Sequence, residues 1–300
     1  MANTPALVTL SLVEWVTSSE YGSTMLTMTT RAGVFAQLKF MSNTYTTTGI
    51  VLKRRDYQEN DRLFCLYTKD YGKIDILAKG TKKIASKLNS YMEPFYLVKL
   101  MIAKGKVFDK LANCDIIKTY DNLRNDQTLL GFGLINYLAE GTDGLISGQT
   151  MKADKFNLLA EVLDVLEREI INDLEDKNDR LSFIANIYFV KLLVLLGCQP
   201  EIQRCVMCHK GILLPQNVFD FVKGGLVCEK CKKICLIEDY IMVSDTVIKL
   251  LQLAKEKSLD FFVTLSVHSN ELKEFNKVSE KLIMVNLEKP LKTFEFLDKI

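Results

Sequence analysis

The hydrophobic pattern changes its period once along the 300-residue chain. Between Tyr45 and Tyr120, apolar residues occur in short runs rich in β-branched and aromatic side chains, which is typical of strands. After Asp121 they recur at steps of three and four, the spacing that places them on one face of a helix. The chain is therefore predicted to be α+β, with strands first and helices afterwards.

Five apolar runs predict five strands in the first part: TTGIVLKR, RLFCLYT, KIDILAKG, PFYLVKLMIA and LANCDIIKTY. Gly72 suits a tight turn between the second and third, and the basic segment KGTKKIASKLNSYME joins the third to the fourth. Five short strands fit a small closed barrel, and the OB-fold is the five-stranded barrel that binds nucleic acid. An SH3-like barrel has similar counts, so the pattern alone leaves that choice open.

Helical periodicity continues to Gly197 and returns after the cysteine-rich segment. Three long runs predict the first helices: LLGFGLINYLAEGTDGLI, KFNLLAEVLDVLEREIINDL and DRLSFIANIYFVKLLVLLGC. Gly141, Gly144 and Gly148 are expected to separate the first from the second, because glycine is a poor helix former. Two more helices are predicted at SDTVIKLLQLAKEKSLD, capped by Ser244 or Asp245, and at SNELKEFNKVSEKLIMVNLE.

Residues 1–40 differ from the rest, since they are rich in Ser, Thr and Met and carry only four charges. We expect them to be an N-terminal extension, either disordered or arising from a misassigned start, with Met41 as the functional start. The alternative is a short, poorly packed element. The predicted domains are thus the extension (1–40), an OB-fold (41–120) and a helical domain (121–300) interrupted by a metal module at about 198–240.

Six of the eight cysteines fall between Cys198 and Cys235, and four of them form two Cys-x-x-Cys pairs. Such pairs supply the tetrahedral thiolate ligands of a closed, structural zinc site. The predicted ligands of one Zn²⁺ are Cys205, Cys208, Cys228 and Cys231. The His-x-Glu signature of zinc deaminases is absent, and four thiolates leave no open position for catalysis. Cys198 and Cys235 are expected to be buried thiols outside the site.

Composition limits the class of protein. With 48% hydrophobic and 25% charged residues, the chain has enough apolar side chains for packed cores. Neither a secretory signal nor an apolar run of about 18 residues is apparent, so we expect a cytoplasmic protein with no membrane span. In that reducing compartment, paired cysteines favour metal over disulfides.

Charge is distributed unevenly. Residues 41–120 hold 15 Lys and Arg against 8 Asp and Glu, whereas residues 121–197 hold 7 against 13. A basic barrel indicates an anionic partner, and loop lysines interleaved with aromatic residues favour nucleic acid. Lys104 and Lys106 flank a turn glycine, Gly105. The predicted DNA-contacting residues are Lys53, Arg54, Arg55, Lys79, Lys82, Lys83, Lys87 and Lys104.

No catalytic pattern competes with binding. His209 and His268 are far apart in sequence, and no GxxxxGK[ST] phosphate loop occurs. A non-enzymatic protein is therefore expected. Three alternatives remain open: an RNA- or transcription-associated OB and zinc-ribbon protein, a zinc hydrolase, and a structural adaptor, which would leave the basic barrel unexplained.

The run TTGIVLKRRDYQENDRLFCLYTKDYGKIDILAKGTKKIASKLNSYMEPF resembles the N-terminal domain of the bacterial RecO family. Its Y-x-E-x-D step, T-x-x-x-G-K-I turn, A-K-G and basic loop before P-F carry the resemblance. LLGCQPEIQRCVMC, FDFVKGGLVCEKC and KPLKTFEFL extend it, so that it spans about Met41 to Leu297. The departures are the extension and His209, where the family usually has Gly.

The resemblance implies an OB-fold, a helical domain and an inserted four-cysteine zinc module. It also implies a nucleoid-associated recombination mediator that binds single- and double-stranded DNA and anneals complementary strands. RecR and the C-terminal tail of single-stranded DNA-binding protein (SSB) are the implied partners, and loading of RecA on SSB-coated DNA is the implied outcome. Carried over, the basic loop implies DNA contact for Lys79, Lys82, Lys83 and Lys87, and the knuckles imply zinc for the four cysteines.

Overall fold

A computed structural model describes ten segments of the chain: 17–20, 23–28, 36–39, 43–82, 92–148, 153–172, 176–212, 217–234, 240–287 and 290–297. The first three are strands β1 (Thr17–Glu20), β2 (Ser23–Met28) and β3 (Ala36–Lys39), which form a small antiparallel sheet in that order. The rest of residues 1–40 lies outside the described residues, and the extension stays a prediction. None of the described helices is long and apolar enough to cross a membrane.

Five strands close into a barrel. They are β4 (Thr44–Tyr57), β5 (Asp61–Thr68), β6 (Gly72–Ala78), β7 (Leu97–Ala103) and β8 (Asp109–Lys118). Their order around the barrel is β4-β5-β6-β8-β7, with β7 returning to β4. Only β6 and β8 pair in parallel among these strands; the other pairs are antiparallel. This is the topology of the OB-fold, so the predicted barrel is confirmed and the SH3-like alternative is set aside.

The two faces of each barrel strand have different neighbours, because successive side chains point to opposite sides. Phe64 and Leu66 of β5 point into the barrel and belong to its core together with Ile74, Ile76 and Leu100. Cys65 and Tyr67 point outward, yet they are 6% and 1% exposed because they join the larger core of the helical part. The outer face of the barrel is therefore covered at β5.

The helical part contains α1 (Asp121–Arg124), α2 (Leu130–Leu145), α3 (Ala153–Glu169), α4 (Lys177–Leu196), α5 (Glu229–Ile234), α6 (Asp245–Glu256), α7 (Leu259–Thr264), α8 (Ser269–Asn286) and α9 (Lys292–Leu297). Helix α4 is central, and eleven of its residues are buried. It packs against α2, α3, α6, α7 and α8. The α+β prediction is thereby confirmed.

Two of the glycines expected to end the first long helix lie inside it, so that expectation is wrong. Gly141 and Gly144 belong to α2, and only Gly148, at φ +71°, lies beyond its end. A Cβ added at Gly141 would lie 2.4 Å from the Phe189 ring of α4. Close helix packing, rather than helix breaking, accounts for this glycine. The predicted cap is confirmed at α6, where Ser244 accepts a hydrogen bond from the Val247 amide.

Candidate metal centre and nucleic-acid interface

The four predicted ligand cysteines meet at one point. The Sγ atoms of Cys205, Cys208, Cys228 and Cys231 all lie within 4.8 Å of one another, and those of Cys208 and Cys228 are 3.9 Å apart. Four sulfurs bound at about 2.3 Å around a tetrahedral ion would be roughly 3.8 Å apart. The cluster thus has the donor set and the size of a four-thiolate metal site.

Main-chain hydrogen bonds shape the two knuckles. The Cys228 amide donates to Cys205 Sγ at 3.4 Å, and the His209 amide donates to the Cys205 carbonyl at 2.8 Å. His209 has φ +58°, a left-handed conformation that favours glycine. The turn therefore forms with histidine at this position.

Amide donors also prepare Cys205 to be a ligand. Burial disfavours its thiolate, but amide hydrogen bonds from Cys228, Cys208 and Met207 outweigh burial and lower its pKa to about 6. Burial and hydrogen bonds with the other cysteines raise the pKa of Cys231 to about 12. Four thiolates crowded together repel one another, so a cation is needed before all four deprotonate.

A small sheet connects the cysteines to the helical core. It consists of β9 (Asn217–Asp220), β10 (Gly225–Val227) and β11 (Tyr240–Val243), in the order β10-β9-β11. Val218 and Val227 face the cysteines, whereas Phe219 and Leu226, the next residues along the strands, pack into the helical core. The small sheet therefore lies between the cysteine cluster and the helical core.

The other cysteines differ in their surroundings. Cys65 and Cys114 are buried in the barrel region. Cys198 is exposed, so the expectation that it is buried is wrong; it follows the end of α4 rather than facing a core. Cys235 lies outside the described residues.

The predicted DNA-contacting residues of β4, the first barrel strand, all have carboxylate partners. Lys53 pairs with Asp143, Arg54 with Glu93, and Arg55 with Asp75 at 3.5 Å. Lys82 pairs with Asp56 at 2.9 Å, and this carboxylate also meets Arg62. At each of these residues a DNA phosphate would have to compete with the carboxylate. The ion pairs do not test DNA contact, which stays a prediction.

The β4–β5 loop, the β7–β8 loop and the end of β6 meet at one end of the barrel. The residues that join β4 to β5 follow Tyr57, and those that join β7 to β8 end at Phe108; the two rings are 5.7 Å apart. The end of β6 lies beside the start of β8, because Leu77 pairs with Lys110. In OB-folds these two loops, with the face of the second and third strands, are the usual binding surface for oligonucleotides.

We call this region the barrel-end surface. Tyr57 and Phe108 are half-buried, and Val107 beside them is 84% exposed. The exposed lysines around them are Lys79, Lys82, Lys104, Lys106 and Lys110. Lys83 and Lys87 lie outside the described residues. Phe108 and Lys110 were missed by sequence reasoning, because only the parallel pairing of β6 with β8 brings them to this end.

Gly105 fixes the shape of the β7–β8 loop. A Cβ added there would lie 1.8 Å from the Phe108 carbonyl oxygen, which no side chain tolerates. The Asp109 carboxylate accepts hydrogen bonds from the Gly105 amide at 3.0 Å and from the Tyr45 hydroxyl at 2.6 Å. The loop that carries Lys104 and Lys106 is therefore held at both ends.

Helices cover the outer face of β5 and β6, the second and third barrel strands. The ring of Tyr67 in β5 lies beside that of Phe156 in α3, tilted by 40° with the ring centroids 6.4 Å apart. Asp143 of α2 lies against Cys65 of β5 and Lys73 of β6, with its Oδ1 3.6 Å from the Cys65 sulfur and 3.2 Å from Lys73 Nζ. The face of the barrel that OB-folds commonly use is therefore occupied by the protein's own helices.

Comparison with known proteins agrees with this architecture. The family model described as recombination protein O N terminal matches residues 41–120, and that described as recombination protein O C terminal matches residues 127–295. The first match spans all five barrel strands, and the second runs from the residues before α2 into α9.

Similar proteins carry the same family name. The DNA repair protein RecO of Dehalococcoides mccartyi (strain ATCC BAA-2266 / KCTC 15142 / 195) is 25% identical over 256 residues, covering 85% of this chain and 96% of the relative. That of Caldanaerobacter subterraneus subsp. tengcongensis is 26% identical over 254 residues, covering 85% and 97%. That of Alkaliphilus metalliredigens is 27% identical over 243 residues, covering 81% and 94%. Because the two models together match more than half of its residues, the chain belongs to the recombination protein O family of DNA repair proteins.

Proposed function

We propose that the chain is a non-enzymatic mediator of homologous recombination that binds single- and double-stranded DNA through the barrel-end surface. The observation that carries the proposal is the convergence of two OB-fold loops and five exposed lysines around Tyr57 and Phe108. Lysines neutralise backbone phosphates, and the aromatic rings offer stacking worth about 1–3 kcal/mol per base. The proteins this chain resembles are named DNA repair proteins.

Strand annealing follows from the same charges. Two complementary strands repel each other through their phosphates, and a basic surface that neutralises both lowers that repulsion. The protein then needs no reacting group, which is consistent with the proposed non-enzymatic action. Loading of RecA on SSB-coated DNA, with RecR and the SSB tail as partners, is part of the proposal; it rests on membership of the family.

We further propose that the metal is one Zn²⁺ with a structural role. Cys205, Cys208, Cys228 and Cys231 would hold it, and four-sulfur tetrahedral sites suit zinc or iron–sulfur chemistry. When bound, zinc would join the two knuckles and stabilise the sheet packed on the helical core. X-ray absorption that finds four sulfurs around zinc would support this assignment, and an open coordination position would favour the hydrolase alternative.

The DNA surface is tested by charge reversal. Lys106→Glu and Lys110→Glu change exposed lysines of the barrel-end surface, and Lys249→Glu changes an exposed lysine of α6 as the matched control. Binding of a fluorescent single-stranded oligonucleotide is measured by anisotropy, and annealing by the quenching of two complementary labelled strands.

Each barrel-end variant is expected to bind DNA more weakly and to anneal more slowly than the control. Equal affinity of all three variants would refute the surface assignment. An RNA oligonucleotide of the same sequence is included, since preferential RNA binding would favour the RNA-associated alternative. Neither strand is expected to be cleaved, and cleavage products that appear only with the protein would contradict the non-enzymatic role.

A further inference from the structure

Asp143 occupies an unusual position. It lies in the last turn of α2, where the helix dipole disfavours a carboxylate. Two barrel lysines offset that cost: Lys53 Nζ lies 2.5 Å from Asp143 Oδ2, and Lys73 Nζ lies 3.2 Å from Oδ1. Lys73 also donates to the Asp143 carbonyl at 2.8 Å. The lysines come from β4 and β6, on either side of Cys65 in β5.

This carboxylate covers the nucleic-acid face of the OB-fold. The second and third barrel strands are β5 and β6, and Asp143 contacts both through Cys65 and Lys73. Two ammonium groups that converge on one pair of anionic oxygens are arranged as they would be around a phosphate. Asp143 therefore lies between two lysines on the face of the barrel that OB-folds commonly use to bind nucleic acid.

The site is partly accessible to solvent. The Lys53 side chain is 54% exposed, whereas those of Lys73 and Asp143 are 24% and 22% exposed. A cavity of about 370 Å³ opens beside Lys73 and Asp143, bounded by Glu140, Leu287 and Leu291. A phosphate group has room to approach Lys73 there before Asp143 leaves.

The origin of the carboxylate distinguishes this site from two other paired cations of the barrel. Arg55 and Lys82 pair with Asp75 and Asp56, which belong to the barrel itself, so those pairs move with it. Asp143 belongs to the helical part. Exchanging it for a phosphate would therefore loosen a contact between the barrel and α2.

We propose that Lys53 and Lys73 form a phosphate site which Asp143 occupies in the resting protein, and that a backbone phosphate of single-stranded DNA displaces Asp143. The inference rests on the proposed DNA-binding function. It makes Asp143 a residue that weakens DNA binding, and it makes Lys73 a DNA contact that the sequence did not indicate.

Asp143→Asn tests this exchange, with Asp164→Asn as the matched control, because Asp164 pairs with barrel Lys118 at 2.7 Å. The affinity for a fluorescent single-stranded oligonucleotide is measured over a salt series. Asp143→Asn is expected to bind more tightly than wild type, because no carboxylate has to be displaced, and to keep the same log–log salt slope, because both proteins neutralise the same phosphate. Adding Lys73→Ala should remove the gain.

The outcomes separate this inference from the proposed function. If wild type binds DNA but Asp143→Asn, shown by thermal melting to be folded, binds no more tightly than wild type, the phosphate site is wrong and the barrel-end surface stands. If wild type does not bind DNA, both fail.

A measurement on the wild-type protein covers the case in which the variant does not fold. The Ile146 amide donates to Thr142 at the end of α2, 3.0 Å away, and reports on the anchoring of Asp143. Its hydrogen-exchange protection is expected to fall when single-stranded DNA binds. Unchanged or increased protection would overturn the proposed displacement.

Discussion

Metal removal should destabilise one module and leave the barrel intact. The module spans the two knuckles and the β9–β11 sheet, and its own core is small. Among the described residues, the cluster around the cysteines has three fully buried members: Cys205, Val218 and Val227. Two buried valines contribute about 1.5–3 kcal/mol each, roughly 3–6 kcal/mol together. Ordering each backbone residue costs about 1–2 kcal/mol, so these valines alone cannot order the two knuckles.

The bound metal is expected to supply the difference. At a free metal concentration about 1,000 times Kd, binding to the folded form alone stabilises it by about 4.1 kcal/mol, a thousandfold change in the opening equilibrium. The amides of Cys205, Val206 and His209, which donate within the knuckles and to the sheet, should therefore exchange about a thousandfold faster after chelation. Barrel amides such as that of Phe95, bonded to the Val51 carbonyl, should not change.

Hydrogen exchange followed by mass spectrometry measures both regions in one experiment. Metal content must be measured before and after chelation. Cys205→Ser should reproduce the chelated state, whereas Cys198→Ser, at an exposed cysteine outside the cluster, should resemble wild type. Unchanged protection and unchanged thermal melting after verified metal loss would refute the structural role.

Two predictions concern the helical core. Gly141→Ala should lower the free energy of unfolding by about 1–3 kcal/mol, because the new Cβ would meet the Phe189 ring. Chemical denaturation measures this, and Gly211→Ala, where an added Cβ meets no atom within 4 Å, is the control; equal stability of the two variants would show that α2 and α4 are not closely packed. Tyr137→Phe should cost about 1–3 kcal/mol, because it removes the buried hydroxyl that donates to Asn186 Oδ1 at 2.7 Å. A change under about 0.5 kcal/mol in the same assay would mean that another donor replaces it.

The barrel and the cysteine site were predictable because their signals are local. Each barrel strand alternates between the barrel interior and the outside, and Phe64 and Leu66 follow that period. The spacing of two Cys-x-x-Cys pairs specifies the donor set without reference to the rest of the fold. These patterns give the element type and the ligand set.

Contacts between distant segments were not predictable. Gly141 reads as a helix breaker in sequence, and only the position of Phe189 explains its presence inside a helix. Lys53 and Asp143 are 90 residues apart, so nothing in the sequence pairs them. The uneven charge of the two parts was interpreted as a sign of an anionic partner, yet it is used partly within the molecule, where Lys53, Lys73 and Lys118 meet acidic residues of the helices.

The central claim is that the barrel-end surface binds DNA through its phosphates. The most direct test is the affinity of the purified protein for a single-stranded oligonucleotide over a salt series, compared with Lys106→Glu. Wild type is expected to give a linear log–log plot and the variant a slope shallower by about 0.7, because one phosphate contact with the single strand is lost. Affinity that does not depend on salt, or identical slopes for the two proteins, would contradict it.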